Sequence, residues 1–289
     1  MSAVTTSQSS QRSMLRRIHI PWGHLLIHAI LIAGAFAMVI PFLWMLTLSL
    51  KPVSLIHQAP YLIPTTFELS NYAKAWDAAP FARYYLNSAL MTGGIVAGQV
   101  IFSSLAAYAF ARLQFPGKEL LFLVFLGTMM VPFHVILIPS YLIIDRLGWV
   151  DSYAALIVPR MVSAFGIFLM RQYYQGIPKE LDEAAMIDGA GRLGIWWRII
   201  MPLSGPGLAT LGIFAFMFAW NDFLWPLVVT NDPNMRTVQL GLAMFQGRYG
   251  TQWTLLMAGT VTATLPTLLI FLIGQRWFIQ SIAQTGMKG

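Results

Sequence analysis

Five stretches of this sequence contain no Asp, Glu, Lys or Arg: Ile18 to Leu50, Tyr84 to Ala111, Leu120 to Ile144, Ile199 to Asn221 and Tyr249 to Gln275. Each exceeds the ~20 residues that cross a ~30 Å hydrocarbon core at a helical rise of ~1.5 Å per residue. Ser152 to Met170 is a sixth candidate, interrupted only by Arg160. A helix in a soluble domain needs an apolar stripe, whereas these runs are apolar all round. Charged residues make up 10% of the chain, against roughly 25% in an ordinary soluble domain. The sequence predicts an all-α, polytopic membrane protein with six transmembrane helices.

The formal charge of +7 is therefore read as a record of topology rather than of nucleic-acid binding. Six spans put both termini on one side. With that side taken as the cytoplasm, eleven Lys and Arg fall inside: Arg12, Arg16, Arg17, Arg112, Lys118, Arg171, Lys179, Arg192, Arg198, Arg276 and Lys288. Six fall outside: Lys51, Lys74, Arg83, Arg146, Arg236 and Arg248. The bias predicts cytoplasmic termini. Residues 1–20 read as a cytoplasmic tail, because the apolar run that follows exceeds a signal peptide's ~7–15 residues. Residues 21–83 hold the first span and a long extracytoplasmic loop whose Pro52, Pro60 and Pro64 argue against another span. Residues 84–276 hold the other five spans, and 277–289 a second cytoplasmic tail. The absence of cysteine says little about compartment.

Between the fourth and fifth spans lies "ELDEAAMIDGAGRLGIWWRIIMPL", Glu180 to Leu203, with four of the chain's eleven acidic residues. It has its own helix signals. Pro178 suits a first helical position, Glu180, Asp182 and Glu183 complement the positive end of the dipole, and Gly189 can stop the helix in a left-handed conformation. Leu181, Ala184, Ala185 and Asp188 share one face, so a backbone there can approach another surface closely. A second short segment, Arg192 to Ile200, is expected to end at Pro202. Helices below ~12–15 residues are marginal alone in water, so both must dock, on the ends of their own spans or on a partner.

Glu183-Ala184-Ala185, three residues, Gly189, nine residues, then Ile199-Ile200-Met201-Pro202 resembles the EAA loop of bacterial ABC-importer permeases, E-A-A-x3-G-x9-I-x-L-P. Met201 in place of leucine is a mild apolar swap. Asn87 to Lys118, "WNDFLWPLVVTND" (Trp220 to Asp232) and "QRWFIQSIAQTGMKG" at the end are similar to carbohydrate permeases of the maltose-transporter type, the last two to the smaller of their two permeases. The resemblance implies a type I importer in a bacterial inner membrane. In it, two permeases form the pathway, two ATPase subunits use ATP and magnesium, and an extracytoplasmic binding protein delivers the solute. It further implies that loop 178–203, through Glu183, Ala184, Ala185, Asp188, Gly189, Ile199 and Pro202, seats in the ATPase. Docking on that partner then outweighs self-packing.

No G-x-x-x-x-G-K-[ST] loop is present, since Gly117-Lys118 is followed by Glu119; ATP would have to be hydrolysed by another subunit. No cofactor is expected on this chain, and its non-protein partner is membrane lipid. There is no H-E-x-x-H, and His24 and His28, four apart at a membrane end, suit interfacial packing better than metal. Arg160 reads either as a pathway residue or as a side chain snorkelling to the outer surface. Asn221 and Asp222 could line a path or cap the fifth span. Gly93, Gly94 and Gly98 form a small-residue packing face, and Trp196 and Trp197 suit the membrane interface. In the third outer loop, Asp222 to Arg248 with Tyr249, the groups Gln246, Arg248 and Tyr249 could meet a sugar or a protein rim; the alternative is a solvated loop. Two rival classes remain: a secondary transporter, which would carry repeats and ion sites in one chain, and an intramembrane enzyme, which would need convergent catalytic groups. A permease for a non-sugar solute is a further alternative.

Overall fold

Every apolar run is helical in the computed structural model, which describes residues 22–247 and 250–286, but only half of the spans are unbroken. In chain order the helices are α1 (Trp22–Ser49), α2 (Ser70–Asp77), α3 (Phe81–Arg112), α4 (Lys118–Thr128), α5 (Phe133–Arg146), α6 (Tyr153–Arg160) and α7 (Ala164–Gln175). There follow α8 (Glu180–Ile187), α9 (Arg192–Leu203), α10 (Gly205–Trp220), α11 (Leu224–Val229), α12 (Val238–Ala243) and α13 (Trp253–Gly286). Strands β1 (Gln246–Gly247) and β2 (Gly250–Thr251) pair antiparallel.

Helices α1, α3 and α13 are each long and apolar enough to cross a membrane. The other three spans are bent pairs: α4 and α5 meet at 98°, α6 and α7 at 43°, α9 and α10 at 84°. Five charge-free runs and the Arg160-bearing sixth predicted six plain spans, and the bends have local causes. Pro132 stands at the N-cap of α5, where it disfavours helix in the residue before it. Ser163 caps α7, its Oγ accepting from Gly166 N at 3.2 Å. Pro206 occupies the first turn of α10, a position that needs no backbone donor.

Helix α3 is the hub. Its first half packs on α6, α10 and α12, and its second half on α7. At Gln99–Ser103 it widens into a π-helical turn. Ser104 donates back to the carbonyls of Val100 and Ile101 within that turn, a bond that competes with the regular ladder. Two of the three small residues expected to pack do so. A Cβ on Gly94 would lie 2.8 Å from Ile157, and one on Gly98 2.6 Å from Met161, whereas Gly93 faces open space.

The core falls into three clusters. One, at the α8 end, contains Tyr108, Phe110, Ile167, Met170, Tyr174, Ile195 and Ile200. A second joins Phe81, Tyr84, Val238, Phe245 and Leu256, and a third surrounds Met91, Ile95, Leu156 and Trp225. Helix α1 stays outside them, leaning on α13 with Phe36 and Met38 exposed.

The long loops are more ordered than their polarity suggests. Lys51 is 2% exposed and donates to the carbonyls of Gln58 and Pro60 at 2.7 and 2.8 Å, closing the first loop on itself. The third loop is not a plain solvated segment. It folds as α11, a turn at Pro233–Met235 and α12, and it buries Trp225, Val229, Val238 and Leu240.

Candidate coupling loop and transmembrane pocket

Helix α8 begins where its acidic residues predict, two residues later than Pro178 at its first position would set it. Lys179 takes the cap position, and its carbonyl accepts from Asp182 N and Glu183 N at 3.0 and 3.2 Å. The end is a Schellman motif: Gly189 has φ +81°, Gly189 N donates to Met186 O at 3.0 Å, and Ala190 N to Ala185 O at 2.9 Å. Those two bonds satisfy carbonyls that an eight-residue helix would otherwise leave open.

The face of α8 turned to the rest of the chain is not the one read from the helical wheel. Asp182 and Ala185 are buried, whereas Leu181, Glu183, Ala184, Ile187 and Asp188 are exposed, Ile187 at 87%. Ala185 therefore packs in this chain's own core. Asp182 pairs with Arg112, at the end of α3; Arg112 Nε lies 3.5 Å from Asp182 Oδ2, with the side chains 2% and 7% exposed. Arg112 Nη2 also donates to Ile177 O at 2.8 Å. One guanidinium thus ties the last turn of α3 to both the entry and the first turn of α8. A cation there also complements the C-terminal end of the α3 dipole.

The following segment departs from expectation in two places. Helix α9 does not stop at Ile200 but continues to Leu203, with a π-helical turn over Trp196–Ile200 and Pro202 inside its last turn. Trp196 is 7% exposed within the α8-end core, so only Trp197, at 59%, is placed as a membrane-interface residue would be. Ile199 packs against the same core. Leu181, Met186, Ile187, Leu193 and Trp197 leave an apolar surface on two consecutive short helices, edged by Glu180, Glu183 and Asp188.

Of the three pathway candidates, Arg160 and Asp222 meet. Arg160 does not reach out to water: its Nη2 lies 3.2 Å from Asp222 Oδ2, with the side chains 13% and 12% exposed. Its guanidinium carbon sits 4.0 Å above the Phe133 ring centroid, 5.1 Å from Phe218 and 5.8 Å from Trp225. Asp222 both pairs and caps, since its Oδ1 accepts from Trp225 N at 3.3 Å. Asn221 closes the end of α10 by donating to Met217 O at 2.8 Å. Gln99 donates through Nε2 to Arg160 O at 3.0 Å. Together Gln99, Arg160, Val162, Ser163 and the rings of Phe165, Phe214 and Phe218 surround a cavity of about 310 Å³.

Gln246 is exposed on β1, while Arg248 and Tyr249 lie outside the described residues, as do the basic residues of the amino-terminal tail and Lys288. Among the described residues no three His, Asp or Glu side chains are grouped to hold a metal. Sequence reasoning missed the roles of Arg112, Asp182 and Gln99. Arg112 was legible only as a cation at a helix end, and pairing across 70 positions leaves no local signal.

Comparison with known proteins supplies the setting. Residues 99–283 match the family described as binding-protein-dependent transport system inner membrane component. The arabinooligosaccharides transport system permease protein AraQ of Halalkalibacterium halodurans is 36% identical over 259 residues, covering 88% of this chain and 93% of that protein. The sn-glycerol-3-phosphate transport system permease protein UgpE of Yersinia pestis bv. Antiqua is 35% identical over 267 residues, covering 89% and 95%. Among solved structures, a chain of a bacterial ABC transporter involved in the import of the acidic polysaccharide alginate superposes with TM-score 0.79 at 23% identity, covering 89% of this chain and 96% of that one. The fold is that of the ABC-importer permeases, and the chain belongs to the family of binding-protein-dependent transport system inner membrane components.

Proposed function

We propose that this chain is the permease subunit of an ATP-driven, binding-protein-dependent sugar importer, forming half of the translocation pathway beside a second permease. Two separate ATPase subunits would hydrolyse ATP with magnesium, and an extracytoplasmic binding protein would deliver the solute. Both termini would be cytoplasmic, on the side of α8. The observation that carries this reading is the two-faced α8. Its inner face is latched to α3 through Asp182 and Arg112, and its outer face presents Leu181, Glu183, Ala184, Ile187 and Asp188. An acidic, small and apolar surface held rigidly at the end of a spanning helix suits a docking partner whose motion must enter the membrane. Import of an arabinooligosaccharide by a system containing the 36%-identical relative supports the sugar.

Nucleotide-driven motion at α8 would bias the chain between inward- and outward-facing states rather than perform bond chemistry here. Affinity purification of the tagged chain from its native membrane is the direct test. A Walker-motif ATPase and a second permease should copurify, and the pure chain alone should not hydrolyse ATP. Robust hydrolysis by the isolated chain, or a lone chain that still transports, would sink the reading.

A further inference from the structure

We infer that Asn87 is a positioning residue of the transport cycle: from the outer end of α3 it clamps the third outer loop in the form that receives the binding protein. The inference rests on the importer reading and assigns to it a residue and an outer surface.

Asn87 lies in the charge-free run from Tyr84 to Ala111 and is 0% exposed. A buried amide without partners is costly, and this one is bound on every side. Its Nδ2 donates to Asn234 O at 2.7 Å and to Arg236 O at 2.8 Å, and its Oδ1 accepts from Tyr153 Oη at 2.7 Å. One side chain of α3 thus grips both the turn at Pro233–Met235 and the first residue of α6. Its neighbours extend the grip. Ser88, 1% exposed, accepts from Val238 N at 2.9 Å, and Arg83 Nε donates to Asn234 O at 3.4 Å. Gly241 lets α12 lie against the Tyr84 ring, where a Cβ would collide.

The clamp holds up a surface. Asn231, Asp232, Pro233 and Asn234 are exposed, while Met235, Thr237 and Val238 are buried behind them. This stretch joins α11 to α12, and side chains of other elements bind its backbone. The outer end of α3 takes Asn234 O, Arg236 O and Val238 N, and Asp151 Oδ1 accepts from Asn231 N and Asp232 N at 2.5 and 2.8 Å. The first outer loop closes on itself through Lys51. The third is held instead by α3, whose other end carries Arg112 and, through it, α8. A protein seated on residues 231–234 therefore rests on the element tied to the coupling loop. A loop fixed in its docking form before association does not charge its ordering to the complex. Once released, it is competent only part of the time, and the apparent dissociation constant rises in proportion.

The test follows ATP hydrolysis by the assembled importer in nanodiscs, titrated with the extracytoplasmic binding protein isolated from the same cells. Asn87→Leu removes all three bonds at similar volume. It should raise the half-saturating concentration of binding protein by about tenfold, the order expected for two lost loop hydrogen bonds, and leave the maximal rate unchanged. Ser88→Ala should act in the same direction by roughly threefold, and Gly93→Ala, which faces open space on the same helix, should not act. A spin label at Asn234→Cys in this cysteine-free chain, read without binding protein, should sharpen in the Asn87→Leu background, while one at Lys74→Cys should not change. A lower maximal rate at an unchanged half-saturating concentration makes Asn87 a stability residue only and overturns the inference. So does an unaltered spectrum at position 234. If Asn87→Leu does not assemble, Ser88→Ala decides by the same two readings. A wild-type chain that recruits no ATPase overturns the importer reading, and this one with it.

Discussion

Arg112 and Asp182 meet across 70 positions of sequence as a sealed ion pair, Nε to Oδ2 at 3.5 Å, while the same guanidinium holds Ile177 O at 2.8 Å. The pair joins the end of a spanning helix to the helix that presents Glu183. Taking one partner away leaves the other charged and dry, which typically costs ~3–5 kcal/mol. Arg112→Ala and Asp182→Ala should therefore each lower the thermal midpoint of the detergent-solubilised protein. The double variant should recover part of that loss. Strict additivity in the double-mutant cycle would show that the two side chains do not act together.

Gly189 ends α8 with φ +81°, and a Cβ built there meets nothing within 4 Å. Its requirement is thus backbone conformation alone. Gly189→Val should impose a strain of ~1–3 kcal/mol and loosen ATPase retention on purification. Gly189→Asn, which tolerates the left-handed region, should retain most of it. Equal loss in both variants would point to a need for space at the glycine instead.

Ala184 and Ala185 are neighbours with opposite tasks, one exposed and one at 8% exposure inside the core. Ala185→Trp should reduce the abundance of folded protein, because overpacking a core costs ~1–3 kcal/mol. Ala184→Trp and Glu183→Lys should leave abundance unchanged and abolish ATPase retention and transport. Should both surface variants hold the ATPase and transport normally, the loop is only a connector.

Gly98 lets α3 close on the α6–α7 break, where a Cβ would stand 2.6 Å from Met161 Cβ. A backbone-near atom cannot swing aside. Gly98→Ala should destabilise by ~1–3 kcal/mol, whereas Gly93→Ala, in open space, should be nearly neutral. Thermal unfolding of the two variants side by side checks the contrast.

The topology read from eleven inside cations against six outside is testable with single cysteines at Ser7, Lys74 and Lys179. An impermeant thiol reagent on intact cells should label only position 74. Labelling at 179 would place α8 on the wrong side for an ATPase.

Much of this protein was written in local pattern. Charge-free length alone determined that the chain is helical and membrane-spanning, because each run must satisfy its backbone within itself. The acidic start and glycine stop of α8 were legible for the same reason: caps and dipoles act over one turn. The breaks in three spans were not read, although Pro132, Ser163 and Pro206 stand at them, since those residue types also occur inside unbroken membrane helices such as α1 and α13. Nor did the wheel reveal which face of α8 turns inward. That was decided by Arg112, 70 positions away, whose charge needed Asp182 once both were removed from water. Arg160 and Asp222 were each singled out by sequence, yet their pairing exists only because the ends of α6 and α10 converge. A charge inside a span announces itself in one dimension; the partner that makes it affordable is chosen in three.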